Sequence, residues 1–308
     1  FKKSEVYLYD NKSLQIPSIT QNEKHILTKV KKIESGLKCY EGEINITFHK
    51  HLLNTDKSNP SVIKGAGVQR YFITDDMSQG VLEYLDKEKY LLENSGEKSR
   101  AYLSKRIALQ GITGVDDKRR LIATMVNDGI FLANSCNYIA PQEGQNLYFF
   151  LGIFNSKLMN WIFQKTSTNS NVNCYEVNSL PIPQIPITAQ QPFITQAQKM
   201  LDLTAQFNEL SNKFIKLLSA DLGIVKITKK LEKWHNLEVD EFFLEVAKQN
   251  KNLSLPQKSQ WLEHFEGEKQ KAVDLQNKIS KTDAEIDKMV YELYGLSDEE
   301  IKIIEEIK

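Results

Sequence analysis

The stretch from Asn146 to Pro186 constrains this chain more than any other. It opens on an unbroken apolar run, Leu147-Tyr148-Phe149-Phe150-Leu151-Gly152-Ile153-Phe154, continues through Asn155-Ser156-Lys157, and resumes with Leu158-Met159-Asn160-Trp161-Ile162-Phe163. A helix that is apolar on every side belongs inside a protein, so Leu151, Phe154, Leu158 and Trp161 are expected to pack a core. An Asn/Ser/Thr-rich loop from Thr166 to Asn173 follows. The stretch leaves by Leu180-Pro181-Ile182-Pro183, which is stiff because proline fixes φ. It holds no constellation for covalent chemistry and suits a shaped surface that contacts a partner.

Around it, 308 residues allow a proper core and two domains. Residues 1–190 are expected to form an α+β domain with a mixed, partly antiparallel sheet. Strand-like runs recur at Val6–Tyr9, Ile44–Phe48, Arg70–Ile73, Arg106–Gln110, Ile122–Val126 and Ile130–Ala133, and helical patterns lie near Ile19–Lys31 and Val81–Glu88. Asn127-Asp128-Gly129 reads as a hairpin turn between the last two strands, because Asp-Gly readily takes positive φ. Residues 191–308 are expected to be a helical region. Phe193, Ala197, Met200, Leu201, Phe207, Leu210, Phe214 and Leu217 fall at the spacing of one long amphipathic helix, beyond a proline-rich hinge at Pro186–Pro192. Leu231 to Val246 marks a second helical stretch, and helix resumes from Trp261 to Glu292 after Pro256. Gly295 ends it, and Ser297 with Glu300 three residues on forms a capping box.

Forty basic and forty acidic residues cancel, yet they are not evenly spread. Residues 1–192 carry 23 Lys/Arg against 19 Asp/Glu, and the remainder 17 against 21. Lys98, Arg100, Lys105, Arg106, Lys118, Arg119 and Arg120 cluster against Asp116 and Asp117, which is compatible with a groove that tracks phosphates. Cys39, Cys136 and Cys174 are odd in number and lack Cys-x-x-Cys spacing. They argue for a reducing cytoplasm and against a disulfide framework or structural zinc. No run is apolar enough to span a bilayer as a helix.

Enzymatic motifs fail one by one. Asn59-Pro60-Ser61-Val62 lacks the second proline and the aromatic that an amino-methyltransferase loop needs. Gly65-Ala66-Gly67 lacks a third glycine, Arg70 standing in its place, and a strand rather than a helix is expected to follow. Asp116-Asp117-Lys118 echoes a nuclease motif without its other carboxylates. His49 and His51 share a face of the expected strand but find no third metal ligand. No catalytic residue is identified.

Recognition chemistry remains. Lys64 and Arg70 bracket the glycine turn with Gln69 beside them, and Arg and Gln suit bidentate contacts to guanine and adenine edges. Gln110 and Thr113 belong to the loop after the Lys105-Arg106 strand, with Lys118 and Arg119 further along the basic cluster. Asn134 and Asn137 lie after Ala133. Lys165, Asn169 and Asn171 belong to the polar loop, whose amides suit base edges or phosphate oxygens.

Several ordered segments resemble the C-terminal target-recognition (specificity) domain of adenine-specific DNA methyltransferases and type IIG restriction–modification enzymes, of the Taq-methyltransferase-like kind. They are Val62–Tyr71, Arg106–Thr113, Ala133–Ile139, Leu151–Lys157 with Leu180–Pro183, and the ending Asp283–Leu296. The resemblance implies a chain that binds double-stranded DNA and is not by itself an enzyme. A methyltransferase domain preceding Phe1, or a separate subunit, would bind S-adenosylmethionine and flip the adenine, while the helical region braces the module or docks on that domain. Arg70→Ala and Arg106→Ala are then expected to lower DNA affinity without unfolding. The competing readings are a specificity subunit acting in trans and a helical scaffold that does not bind DNA.

Overall fold

The computed structural model describes residues 19–33, 36–75, 81–114, 117–141, 143–249 and 252–306. The strand expected at Val6–Tyr9 lies outside them, as does Asp116. Two compact units emerge: residues up to Gln198 together with those from Glu285 on, and Lys199–Ala284. The sequence expectation placed a division at 190/191 instead.

The first unit is α+β. One sheet is antiparallel throughout, in the order β1 (Cys39–Glu41), β10 (Cys136–Ile139), β7 (Arg106–Gln110), β8 (Ala123–Val126). The second is mixed, in the order β2 (Leu53–Asn54), β6 (Glu83–Leu85), β3 (Ser61–Ile63), β9 (Phe131–Leu132), with β3 and β9 parallel. A short ribbon joins β4 (Val68–Gln69) to β5 (Phe72–Ile73).

Three local expectations are corrected. Gly129 does take positive φ (83°), but no hairpin forms. β8 pairs with β7 while β9 pairs with β3, because Gly129 N–H donates to Tyr102 O (2.8 Å) and Phe131 stacks on Tyr102. Ile44 makes a single bridge to Ala133, and the expected strand stops there. The Asn45 side chain accepts from Thr47 N and Phe48 N and closes a turn, as Asn commonly does. His49 and His51 therefore share no strand face: His49 Nδ1 accepts from Asn45 N, and His51 pairs with Glu93. Finally, the helix expected at Val81–Glu88 is replaced over Glu83–Leu85 by strand β6. Helix α2 (Lys87–Glu93) follows α1 (Gln21–Val30) in the chain and starts only after Asp86, whose side chain caps Lys89 N.

Helices α3 (Leu147–Phe154) and α4 (Lys157–Thr166) fill the unit's core, with Phe149 to Phe154 and Leu158 to Phe163 buried. Ser156 caps α4 by accepting from Met159 N. A short α5 (Cys174–Asn178) leads to the proline exit, where Tyr294 donates to Pro181 O at 2.6 Å. Helix α6 (Ile187–Leu222) begins before Pro192 rather than at it, with Pro186 O accepting from Ala189 N and Gln190 N. The buried Gln190 side chain accepts from Asn146 N and donates to Gly144 O and Ile185 O, tying the start of α3 to the start of α6.

The second unit is helical. It takes the rest of α6, α7 (Lys229–Glu232), α8 (Val239–Ala247) and most of α9 (Leu255–Leu293), which starts at Leu255 with Pro256 in its first turn. Phe214 stacks on Trp234 (3.8 Å) and Phe242 on Phe265 (4.4 Å) in its core. The indoles of Trp234 and Trp261 donate to Ser211 and Asp221. Back in the first unit, Gly295 (φ 62°) ends α9, and the Ser297/Glu300 capping box opens α10 (Asp298–Glu305).

Candidate functional site

Loops from three parts of the chain converge on the turn between β9 and β10. Gly65 N–H donates to Ser135 Oγ (2.9 Å) and Gly111 N–H to Ser135 O (2.8 Å), while the Asn134 side chain accepts from Ile46 N. These approaches need glycine. A Cβ on Gly111 would lie 2.7 Å from Ser135 O, a backbone atom that cannot swing away. Gly111→Ala is expected to cost about 1–3 kcal/mol, the usual range for overpacking, read as a lower urea midpoint. An unchanged midpoint would show that the loop yields.

From this hub the 111–113 segment pairs with the polar loop as a miniature antiparallel ribbon. Thr113 N donates to Ser170 O, Val172 N donates to Gly111 O (both 2.9 Å), and Ile112 bridges Asn171. Arg120 bolts the ribbon from beneath. Its side chain is buried on Phe163, Nε donates to Thr113 Oγ1 (2.8 Å), and a terminal nitrogen donates to Asn169 O (2.6 Å). Burial lowers the basicity of Arg120, opposed by the carboxylates of Glu176 and Asp117. Helix α4 fixes the backbone beside it. Asn160 Oδ1 accepts from Arg120 N and Leu121 N and its Nδ2 donates to Lys118 O, while Gln164 donates to Asp117 O and Lys118 O.

The Asn155-Ser156-Lys157 signature is a clamp. The buried Asn155 side chain accepts from Ala123 N (3.2 Å) and donates to Ala123 O (2.9 Å), satisfying the open edge of β8, where an unpaired strand would otherwise be exposed. Arg70 and Arg119 each donate to Asn155 O at 2.8 Å. That carbonyl caps α3, and the C-terminal end of a helix favours cations. Lys157 pairs with Glu305 and Asp287.

The residues singled out from sequence divide accordingly. Gln69, Arg70, Gln110, Arg119 and Asn134, all half-buried, and exposed Lys118, Asn169 and Asn171 are carried by the converging loops or the elements beside them. Gln69 and Gln110 spend one amide hydrogen on Ala66 O and Val68 O. Lys105 stands at the opposite end of β7 from Gln110, roughly 16 Å away at strand rise, and donates to the Tyr148 hydroxyl. Lys64 is paired with Glu83 (2.5 Å) and Lys165 with Glu23 (2.6 Å).

Three candidates are corrected to buried structural roles. Arg106 is fully buried against Glu43 (2.5 Å), with Tyr138 under its guanidinium. Thr113 is the acceptor for Arg120. Asn137 donates to Val172 O and accepts from the Cys174 thiol. Sequence reasoning missed Asn160 altogether and did not separate Arg120 from its cluster. The one cue for Arg120 was the apolar run that begins at Leu121.

Comparison with known families bears directly on this arrangement. Residues 60–187 match the TaqI-like C-terminal specificity domain. That segment is similar to the specificity-domain family. Its boundaries take in Gly65, the ribbon, Arg120, the Asn155 clamp and the proline exit. Residues 186–290 match a domain of unknown function, DUF8810. No curated protein matches the chain. Among solved structures, the type IIL restriction–modification enzyme MmeI in complex with DNA aligns at 11% identity and a TM-score of 0.45 over 88% of this chain. The chain spans 35% of that enzyme's length. Among the described residues, no helix is long and apolar enough to cross a membrane, and no three His, Cys, Asp or Glu side chains group as metal ligands.

Proposed function

We propose that the specificity domain binds double-stranded DNA as the target-recognition part of an adenine-specific methyltransferase or type IIG restriction–modification enzyme. One observation carries the reading. The matched segment holds two polar loops whose backbones are fixed from below by Arg120, Asn160 and Asn137, while Lys118, Asn169 and Asn171 face outward. Contacts to phosphate set register and contacts to base edges set sequence, and a rigid backbone makes both repeatable.

S-adenosylmethionine does not fit this chain's glycine turn. Gly65–Gly67 is a tight 3₁₀ turn packed on Ser135 and leading into a strand, with no helix N-terminus behind it. The reading therefore assigns the cofactor and the target adenine to a methyltransferase domain of the same polypeptide, or to a separate subunit. Three free thiols suit the reducing cytoplasm where such a partner would work.

Fluorescence anisotropy with duplex DNA tests the proposal. Affinity should fall steeply as salt rises, because bound cations displace counterions. Lys118→Ala should weaken binding evenly across sequences and reduce the salt slope by about one. Negligible binding at low salt would reject the reading.

A further inference from the structure

The ribbon formed by residues 111–113 and 170–172 has a register with a chemical consequence. Its two hydrogen bonds, Thr113 N to Ser170 O and Val172 N to Gly111 O, flank the facing residues Ile112 and Asn171. Those two are therefore a non-hydrogen-bonded pair, the arrangement that brings side chains closest, about 5 Å apart at Cβ on one face. Both point outward: Ile112 is 62% exposed and Asn171 is exposed. A lone exposed isoleucine is ordinary on a protein surface. This one is held in place on every side, by Gly111 on Ser135, by Thr113 on Arg120, and by the Asn171 backbone N–H on Asn169 Oδ1 (2.9 Å). The Asn171 side-chain amide takes no hydrogen bond among the described residues. An apolar branched group and an unspent amide are thus presented together by a two-stranded ribbon.

The geometry points to Ile112 and Asn171 as the pair that reads one A·T base pair in the major groove; this assignment rests on the DNA-binding reading above. The major groove admits a two-stranded ribbon. There adenine offers the N7 acceptor and N6 donor that match an asparagine amide in a bidentate contact, and its partner thymine offers a C5 methyl that an apolar side chain covers. A G·C pair offers neither the methyl nor that donor–acceptor order. Because the ribbon is already ordered, contact spends little further conformational freedom.

The test begins by selecting bound sequences from a pool of random duplexes with this chain at low salt. The selected site should contain an A·T pair at which deoxyuridine in place of thymidine, removing the methyl, lowers affinity several-fold. Ile112→Ala should lower affinity for the unmodified site to a similar degree and abolish the further loss on deoxyuridine substitution. Asn171→Ala should weaken binding by about five- to a hundred-fold, the range of one bidentate base contact, and 7-deazaadenine opposite that thymidine should reproduce the loss. Both variants alter exposed side chains, so their melting temperatures should be unchanged. A sequence preference that survives in both variants, or a deoxyuridine effect undiminished in Ile112→Ala, would overturn the assignment while leaving DNA binding intact. No binding of any duplex would instead remove the DNA reading and this inference with it.

Discussion

Arg106→Ala is expected to destabilise the recognition unit by about 3–5 kcal/mol, the range for removing one member of a buried ion pair. Both side chains of the Arg106–Glu43 pair are fully buried at 2.5 Å. The guanidinium also donates to Ala101 O and Ile130 O and lies over the Tyr138 ring. Removing it breaks the ties between β7 and the segments around Ala101 and Ile130, and strands the Glu43 carboxylate in a dry interior. Burial already pushes that carboxyl above the usual carboxylate range, with Arg106 the chief opposing influence. In the variant the opposition is gone, so the folded state binds a proton more tightly than the unfolded chain. A group with a raised folded pKa contributes most below its unfolded value and loses that contribution as pH rises. The deficit should therefore be largest at neutral pH and shrink toward the acid side. Urea unfolding at two pH values measures it. Replacing both partners, Arg106→Met with Glu43→Leu, should recover most of the loss. If Arg106→Ala instead unfolds at the wild-type midpoint yet no longer binds DNA, Arg106 belongs to the interface and its burial here is irrelevant to function.

Arg106 also shows where sequence stops being informative. The basic cluster from Lys98 to Arg120 is visible as a charge pattern, but charge says nothing of depth. β7 is an inner strand covered on both faces, with Arg106 through Leu109 all buried, so the cluster's residues part company. Arg106 and Arg120 go inward, Lys118 faces out, and Lys105 ends on a tyrosine. Features governed by a few neighbouring residues were legible. Gly129 and Gly295 take the positive φ that their turns demand, Ser297 and Glu300 cap as the spacing predicts, and the long helices follow their apolar periodicity. Features decided by distant partners were not. Asp128-Gly129 looks like a hairpin turn until Tyr102 and β3 claim its second strand, and Ile44–Phe48 looks extended until Asn45 closes on its own backbone. The Asn155-Ser156-Lys157 motif marked the module, but its purpose as an edge clamp on Ala123 required the structure.

Arg120→Ala is expected to separate loop order from core stability. Its hydrogen bonds to Thr113 Oγ1 and Asn169 O are charge-assisted, and such bonds contribute about 1.5–3 kcal/mol each when lost. The stacking on Phe163 adds to the loss. Because these contacts all serve the ribbon, about 3–6 kcal/mol for the two bonds should be lost chiefly as local opening. The sheet of β1, β10, β7 and β8 keeps its own ladder. Amide hydrogen exchange should therefore accelerate at Thr113, Asn171 and Val172 while Ile107 to Leu109 stay protected. DNA affinity should fall with the ribbon's order even though Arg120 itself, buried under the loops, touches no phosphate. Arg120→Lys should not restore it, because a single ammonium cannot reproduce a planar fork that reaches Thr113 and Asn169 in different directions. The contrast with Lys118→Ala separates positioning from contact. That exposed substitution should lower affinity with exchange rates unchanged. Unaltered exchange at Thr113 and Asn171 in Arg120→Ala would mean the ribbon holds its shape without its bolt.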